Sequence, residues 1–238
     1  MFTQDNLRAL AQNTPSKIVL LVLDGLGGLP DATGKTELET AHTPNLDNLA
    51  KRGVCGLSIP VSYGITPGSA PGHTAIFGYD PVSVNIGRGV LEAVGIDFPI
   101  DKDDVIARGN FCTANKEGII TDRRAGRLAT EINARLCKML EMKIEDVQVI
   151  TAPVQDYRFL VVFRGPGLSA AVTETDPQHD GMLPLAVKSL VSQAEKTKRI
   201  VNQFINRAKT ILGEQHPANM VLLRGFSQQP ALPSMQEI

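Results

Sequence analysis

The sequence predicts an α/β protein in two parts, and three observations carry that expectation. The run Lys17-Ile18-Val19-Leu20-Leu21-Val22-Leu23 has no polar alternation, so it reads as a strand covered on both faces, as in a parallel sheet. A helix signature follows over 43–53, which gives the strand-then-helix order of a βα unit. From about residue 95 the texture changes to a helix–hairpin–helix grouping of α+β type, and the domain boundary is placed there.

Each element has its own local reason. The helix over 43–53 is defined by its ends: Thr43 stands where an N-cap is needed, Pro44 takes the first helical position and Gly53 stops the run. Residues 58–88 are dense in Gly, Pro and Ser without a period, which describes an exposed connection or a site held by a rigid scaffold. Between Asp122 and Met142 the residues Leu128, Ile132, Leu136 and Leu140 recur at helical spacing. Segments 147–154 and 157–164 read as an antiparallel strand pair. Residues 183–212 read as one long helix or two in succession, and 219–223 as a further strand.

Composition removes several function classes. A chain of 238 residues, 42% hydrophobic and 21% charged, is composed like a folded protein. The longest aliphatic run, 18–23, is far short of the ~20 residues a membrane span needs. The polar stretch 1–13 has no signal-peptide character, so a cytoplasmic location is expected. Twenty-four basic against 25 acidic side chains leave a net charge of −1, which removes a global basic surface for nucleic acid. Three cysteines, Cys55, Cys112 and Cys137, form no CxxC pair and read as buried reduced thiols.

Four places can carry chemistry. Asp24 ends the aliphatic run at the carboxyl end of a strand, where open sheets bind ligands. Pro30 breaks a GxGxxG pattern, so a hard or borderline divalent cation suits Asp24 better than a dinucleotide; a loop cap is the structural alternative. Ser69 lies between Gly68 and Gly72 ahead of His73, near an expected helix N-terminus where N–H groups favour a phosphate or an alkoxide. A serine attacks phosphorus when a base or a metal activates it. A Ser69–His73–Asp24 triad and a metal-held alkoxide both remain open, as does a plain Ser/Gly turn. Arg123, Arg124 and Arg127 fall at helical i,i+3 and i,i+4 spacing behind Asp122, where a bound anion offsets their repulsion and a solvated basic face is the alternative. Arg108 and Arg224 stand beside glycines at the ends of apolar segments, as side chains presented to a cleft or to solvent. His179 in its polar loop, Asp156, Asp180 and the carboxylates of 141–146 read as surface residues, and His42 and His216 have no usable context.

In this order and spacing, Asp24-Gly25-Leu26-Gly27-Gly28, then 39–47 from Glu39 to Asp47, then 67–73 from Pro67 to His73, resemble the archaeal-type cofactor-independent (2,3-bisphosphoglycerate-independent) phosphoglycerate mutases of the alkaline phosphatase superfamily. Segments 107–111 and 122–127, with Arg224, resemble that family's inserted substrate-binding domain, and the likeness runs over nearly all of the chain from residue 17. It implies an alkaline phosphatase-like parallel-sheet core, incomplete here, with an inserted α+β domain. In those terms 1–95 is the first part of the metal and phosphotransfer domain, 96–225 the inserted domain and 226–238 a truncated return to the core.

The implied reaction interconverts 3-phosphoglycerate and 2-phosphoglycerate through a phosphoserine with two divalent metal ions, manganese first and magnesium, zinc or cobalt as alternatives. Ser69 becomes the nucleophile and, with Asp24, a metal ligand; His73, Arg108, Arg123, Arg124, Arg127 and Arg224 hold the substrate's phosphate and carboxylate. The physics agrees, since an anionic substrate needs a guanidinium clamp and metals stabilise an in-line phosphoryl transfer. Family members are considerably longer and carry most of their metal ligands in the C-terminal half, whereas here the fourteen residues after Arg224 contain one carboxylate, Glu237, and no histidine. These 238 residues alone are therefore expected to bind divalent metal weakly and to lack mutase turnover. The expected partners are a small phosphorylated acid, with no nucleic acid and no membrane, and either a C-terminal half outside this sequence or a second copy of the chain. Two alternatives stand beside the mutase: another metal-dependent phosphatase or phosphotransferase of the superfamily acting on a small phosphorylated acid, and a non-catalytic fragment binding an acidic metabolite or a partner.

Overall fold

The structure is a computed structural model that describes residues 4–23, 25–84, 86–232, 234 and 237, without the side chains of Gln4, Leu7 and Ser69. Contacts divide the chain into two units, Met1–Thr66 with Pro233–Ile238, and Pro67–Leu232. Among the described residues no helix is long and apolar enough to cross a membrane.

The described residues of the first unit form the short helices α1 (Gln4–Leu10), α2 (Glu37–Thr40) and α3 (Pro44–Arg52). Thr36 and Glu39 close a reciprocal capping box on α2, satisfying two amides that a helix start leaves open. α3 starts on Pro44 and stops at Gly53 as its sequence requires, although Thr43 spends its hydroxyl on Asp47 (2.9 Å) instead of capping the backbone. The strand expected over 17–23 does not form. Those residues run without regular structure, with Ile18 98% and Val19 88% exposed. A strand apolar on both faces needs a ladder partner and two covering layers, and the described residues of this unit contain no strand to pair with it.

The second unit opens with α4 (Ser69–Ile76) and α5 (Arg88–Gly95). It continues as β1 (Val105–Ala114), β2 (Ile120–Asp122), α6 (Thr130–Leu140), β3 (Met142–Ile144), β4 (Val147–Gln155), β5 (Arg158–Arg164), α7 (Glu195–Leu212) and β6 (Met220–Ser227). The ladders are antiparallel, and β1 is the hub: it pairs with β5, with β6 and, at its far end, with β2, while β4 and β3 extend the sheet beyond β5. The expected hairpin is present as β4–β5. The expected helix over 183–212 starts only at Glu195, because 183–191 runs beside α7 and is tied to it where Asn202 accepts from Val187 N and donates to Val187 O. Helix α6 begins at Thr130 and not at Asp122.

The two faces of this sheet differ. One face carries Val105, Ala107, Phe111, Phe159, Val161 and Phe163 and buries them against α6 and α7, each large side chain contributing about 1.5–3 kcal/mol. Gly109 is required there: a Cβ would stand 2.2 Å from the Phe159 ring. The opposite face buries Ile106, Leu160 and Val162 against Val90 and Ala93 of α5, and then turns polar at Arg108.

Candidate functional site

Register places the polar residues of that second face side by side. Arg108 of β1 lies directly opposite Arg224 of β6, and Asn110 lies opposite Arg158 of β5. Between Ile106 and Arg108 the single residue Ala107 of β1 faces two of β6, Gly225 and Phe226, a bulge in which Gly225 takes φ +61°. Like charges facing each other across a ladder destabilise it, so this pairing has to be offset locally or by a ligand.

Local offset is incomplete. Arg108 reaches Glu92 of α5 at 3.4 Å, and Arg224 stands 3.5 Å from both Glu174 and Asp176, distances beyond the ~2.7–2.9 Å of a strong charge-assisted bond. The Arg108, Arg158 and Arg224 Nε atoms and Asn110 Oδ1 are buried and find no hydrogen-bond partner among the described residues. Burial pulls the Arg108 guanidinium below its ordinary range; Glu92 works against that, while Arg88, Arg158 and Arg224 push the same way as burial.

Asp176 organises the other side. Residues 174–176 run along the free edge of β6: Thr175 donates its N–H to Leu223 O (3.0 Å), its hydroxyl accepts from Leu223 N (2.7 Å), and Glu174 accepts from Gly225 N (2.8 Å). This brings the fully buried Asp176 carboxylate between Arg224 and Arg123, which it grips bidentately at 2.9 and 2.7 Å. Burial alone would raise Asp176, but the Arg123 hydrogen bonds, the Gln178 N–H and the charges of Arg123 and Arg224 hold it below the usual carboxylate value. Arg123 is raised in return, chiefly by that hydrogen bonding.

A cavity of about 530 Å³ lies beside this cluster, lined by Gly68, Ala70 and Pro71 from the start of α4, by Gly87 and Arg88 from the start of α5, and by Glu174 and Gly225. The Gly-Arg-Gly turn is fitted to the sheet. A Cβ on Gly87 would stand 2.3 Å from Ser227 Cβ, one on Gly89 2.4 Å from Ile106 O, and one on Gly225 2.5 Å from Arg88 Cβ. Ser227 also caps α5 by accepting from Val90 N at 3.2 Å. The result holds Arg88 at the cavity wall.

The residues expected from sequence distribute unevenly. Arg108, Arg123 and Arg224 come together, the first and last from the middle of strands and not from their ends. Ser69 opens α4 behind the Gly68 cap, so its backbone position is the expected helix start, while its side chain and Asp24 lie outside the described residues. His73 is exposed on α4 and lines a separate groove of about 340 Å³ with Thr74, Phe77, Tyr79 and Leu91. Arg124 and Arg127 are exposed, and the helical spacing read for 123–127 does not hold. Asp122 accepts from Arg124 N (2.8 Å) and Gly126 N (2.6 Å), and Ala125, Gly126 and Arg127 all take positive φ, so a turn replaces the helix. Asp180, read as solvated, accepts from Arg123 N at 3.1 Å. Cys112 and Cys137 are buried thiols as expected, whereas Cys55 is exposed. Arg88, Glu92, Asn110, Arg158, Glu174 and Asp176 were not singled out. A signal for Arg88 is the glycine that follows it, Gly89, as Gly109 follows Arg108 and Gly225 follows Arg224.

The family model of 2,3-bisphosphoglycerate-independent phosphoglycerate mutase matches residues 50–219. A probable mutase of that description from Aquifex aeolicus is 49% identical over 98% of this chain and 60% of its own length, and one from Thermus thermophilus 50% identical over 98% and 58%. Among solved structures, a cofactor-independent phosphoglycerate mutase from Thermoplasma acidophilum aligns with TM-score 0.61 at 31% identity, covering 91% of this chain and 61% of that one. A Pyrococcus horikoshii protein aligns with TM-score 0.68 at 27% identity, covering 89% and 51%. The chain spans about 60% of the length of the curated relatives it matches. It belongs to the 2,3-bisphosphoglycerate-independent phosphoglycerate mutase family.

Proposed function

We propose that this chain carries the acid-binding part of a cytoplasmic enzyme that interconverts 3-phosphoglycerate and 2-phosphoglycerate through a phosphoserine on Ser69. The observation that carries the reading is the guanidinium cluster: Arg88, Arg108, Arg123, Arg158 and Arg224 share the buried or half-buried carboxylates Glu92, Glu174 and Asp176 and the exposed Asp180, and among the described residues the Arg108, Arg158 and Arg224 Nε donors find no hydrogen-bond partner. Such an excess of donors and positive charge suits a small acid with a phosphate and a carboxylate, whose oxygens are acceptors only.

In this reading the arginines keep glycerate bound between the two phosphoryl transfers, so that the group returns to the 2-hydroxyl and not to water. The amides at the start of α4, around Ser69, support charge on the transferring phosphoryl group. The remaining parts of the family reading stay proposals: an alkaline phosphatase-like core to which 1–95 and 226–238 contribute, an inserted domain over 96–225, and roles for His73, Arg124 and Arg127 at the substrate. Two divalent metal ions, manganese first, would activate the serine, with Asp24 as one ligand. Among the described residues no three of His, Cys, Asp and Glu gather, so no step is derived through a metal.

The test is thermal and chemical. At 100 times its dissociation constant, 3-phosphoglycerate should stabilise the chain by about 2.7 kcal/mol, and glycerate should not at the same concentration. Equal melting with and without 3-phosphoglycerate contradicts the reading. In an assembly that forms phosphoserine, Ser69→Ala should abolish the label.

A further inference from the structure

We propose that Asn110 is a specificity residue of the cluster, its buried amide oxygen accepting from the free hydroxyl of a phosphorylated hydroxy acid whose anionic groups lie on the guanidiniums. The inference rests on the phosphoglycerate reading given above and adds which part of the ligand is read by a neutral group. Asn110 is 5% exposed, in the middle of β1, opposite Arg158 on one side and Leu222 on the other. Its Oδ1 has no hydrogen-bond partner among the described residues.

The same unit shows how it treats a buried amide that serves structure. Asn133, fully buried on α6, donates to Asp156 O (2.7 Å) and Arg158 O (2.6 Å) and accepts from the Cys137 thiol (3.1 Å). A buried amide left unpaired destabilises the fold, and a leucine of similar shape in its place removes the penalty. Asn110 is thus a polar group the fold does not use. Its chemistry differs from that of its neighbours: guanidiniums only donate, so they match phosphate and carboxylate, while Oδ1 accepts and selects a donor. On a phosphorylated hydroxy acid that donor is the free hydroxyl. An analogue without it leaves Oδ1 unpaired beside the bound ligand, which is how a site rejects a substrate lacking one hydroxyl.

The experiment is calorimetric titration of the 238-residue chain with two probes, 3-phosphoglycerate and 3-phosphonooxypropanoate, which differ only in the 2-hydroxyl. Wild type should prefer 3-phosphoglycerate by about tenfold. Asn110→Leu should bind both within about twofold of each other and melt a few degrees higher. Asn110→Asp, which keeps an oxygen acceptor in the same place, should retain the preference while binding both probes more weakly. A preference that survives in Asn110→Leu overturns the assignment, as does equal binding of both probes by wild type. A lowered melting temperature in Asn110→Leu together with a lost preference in Asn110→Asp makes the residue structural and also overturns it. If Asn110→Leu does not fold, the wild-type and Asn110→Asp ratios decide. Failure of wild type to bind either probe overturns the phosphoglycerate reading itself, an outcome distinct from all of these.

Discussion

The two faces of the central sheet treat polar groups in opposite ways. Under α6 and α7, Asn133 is saturated and Thr151 donates to Cys137 O at 2.7 Å, all within a packed core of Phe111, Phe159, Phe163 and Phe204. On the other face Arg108, Arg158, Arg224 and Asn110 keep buried polar atoms unpaired, and the contacts of Arg108 and Arg224 to carboxylates are 3.4–3.5 Å long. Elsewhere in the unit the half-exposed Arg164 closes on the buried Asp104 carboxylate at 2.6 and 2.9 Å, so the fold is able to build a tight ion pair. One face is packed and saturated, while the other holds the polar groups proposed above to meet a ligand.

The largest expected effect lies on the first face. Phe204 meets Phe163 edge-on at 5.7 Å, and Phe204→Ala should lower stability by about 3–5 kcal/mol in denaturant titrations while leaving 3-phosphoglycerate affinity unchanged. A fall in affinity without a fall in stability would reverse the roles of the two faces. Asp176→Asn comes next. It loosens Arg123 and Arg224 together and should lower stability by about 1–3 kcal/mol. Because the folded Asp176 is held below the ordinary value near about 4, its contribution is present above that value and is lost as pH falls through the folded one. Asp176→Asn should therefore flatten the acid limb of the stability profile, and an unchanged limb contradicts the ion-pair role.

Arg224→Met should change stability by no more than about 1 kcal/mol, since Asp176 keeps Arg123, yet weaken 3-phosphoglycerate binding by tenfold or more. The smallest energetic effect concerns the thiols. Burial pushes Cys137 up to about 12, and Cys112 is raised too, by burial first and then by nearby acidic charge. Cys55 is exposed, so a thiol reagent on the native chain should label Cys55 rapidly and the other two only on unfolding.

What the sequence made legible follows the same division. The β4–β5 hairpin and α3 announce themselves through local patterning and end signals. β1 was not readable, because Arg108, Gly109 and Asn110 interrupt its apolar run: Arg108 pairs with Glu92 of α5, Gly109 makes room for the Phe159 ring, and the Asn110 amide oxygen has no partner among the described residues. The turn at 122–127 looked helical by spacing, yet Asp122 takes its amides first. Arg108, Arg123 and Arg224 were visible as unusual arginines. Asp176 was not, since nothing local distinguishes a loop aspartate from one buried by the edge of β6.

The most direct test of the ligand face is calorimetric titration of 3-phosphoglycerate at low salt into wild type and into the Arg108→Met/Arg224→Met double variant. The account predicts saturable binding to wild type and none to a double variant that still unfolds cooperatively. Equal dissociation constants for the two proteins would contradict it.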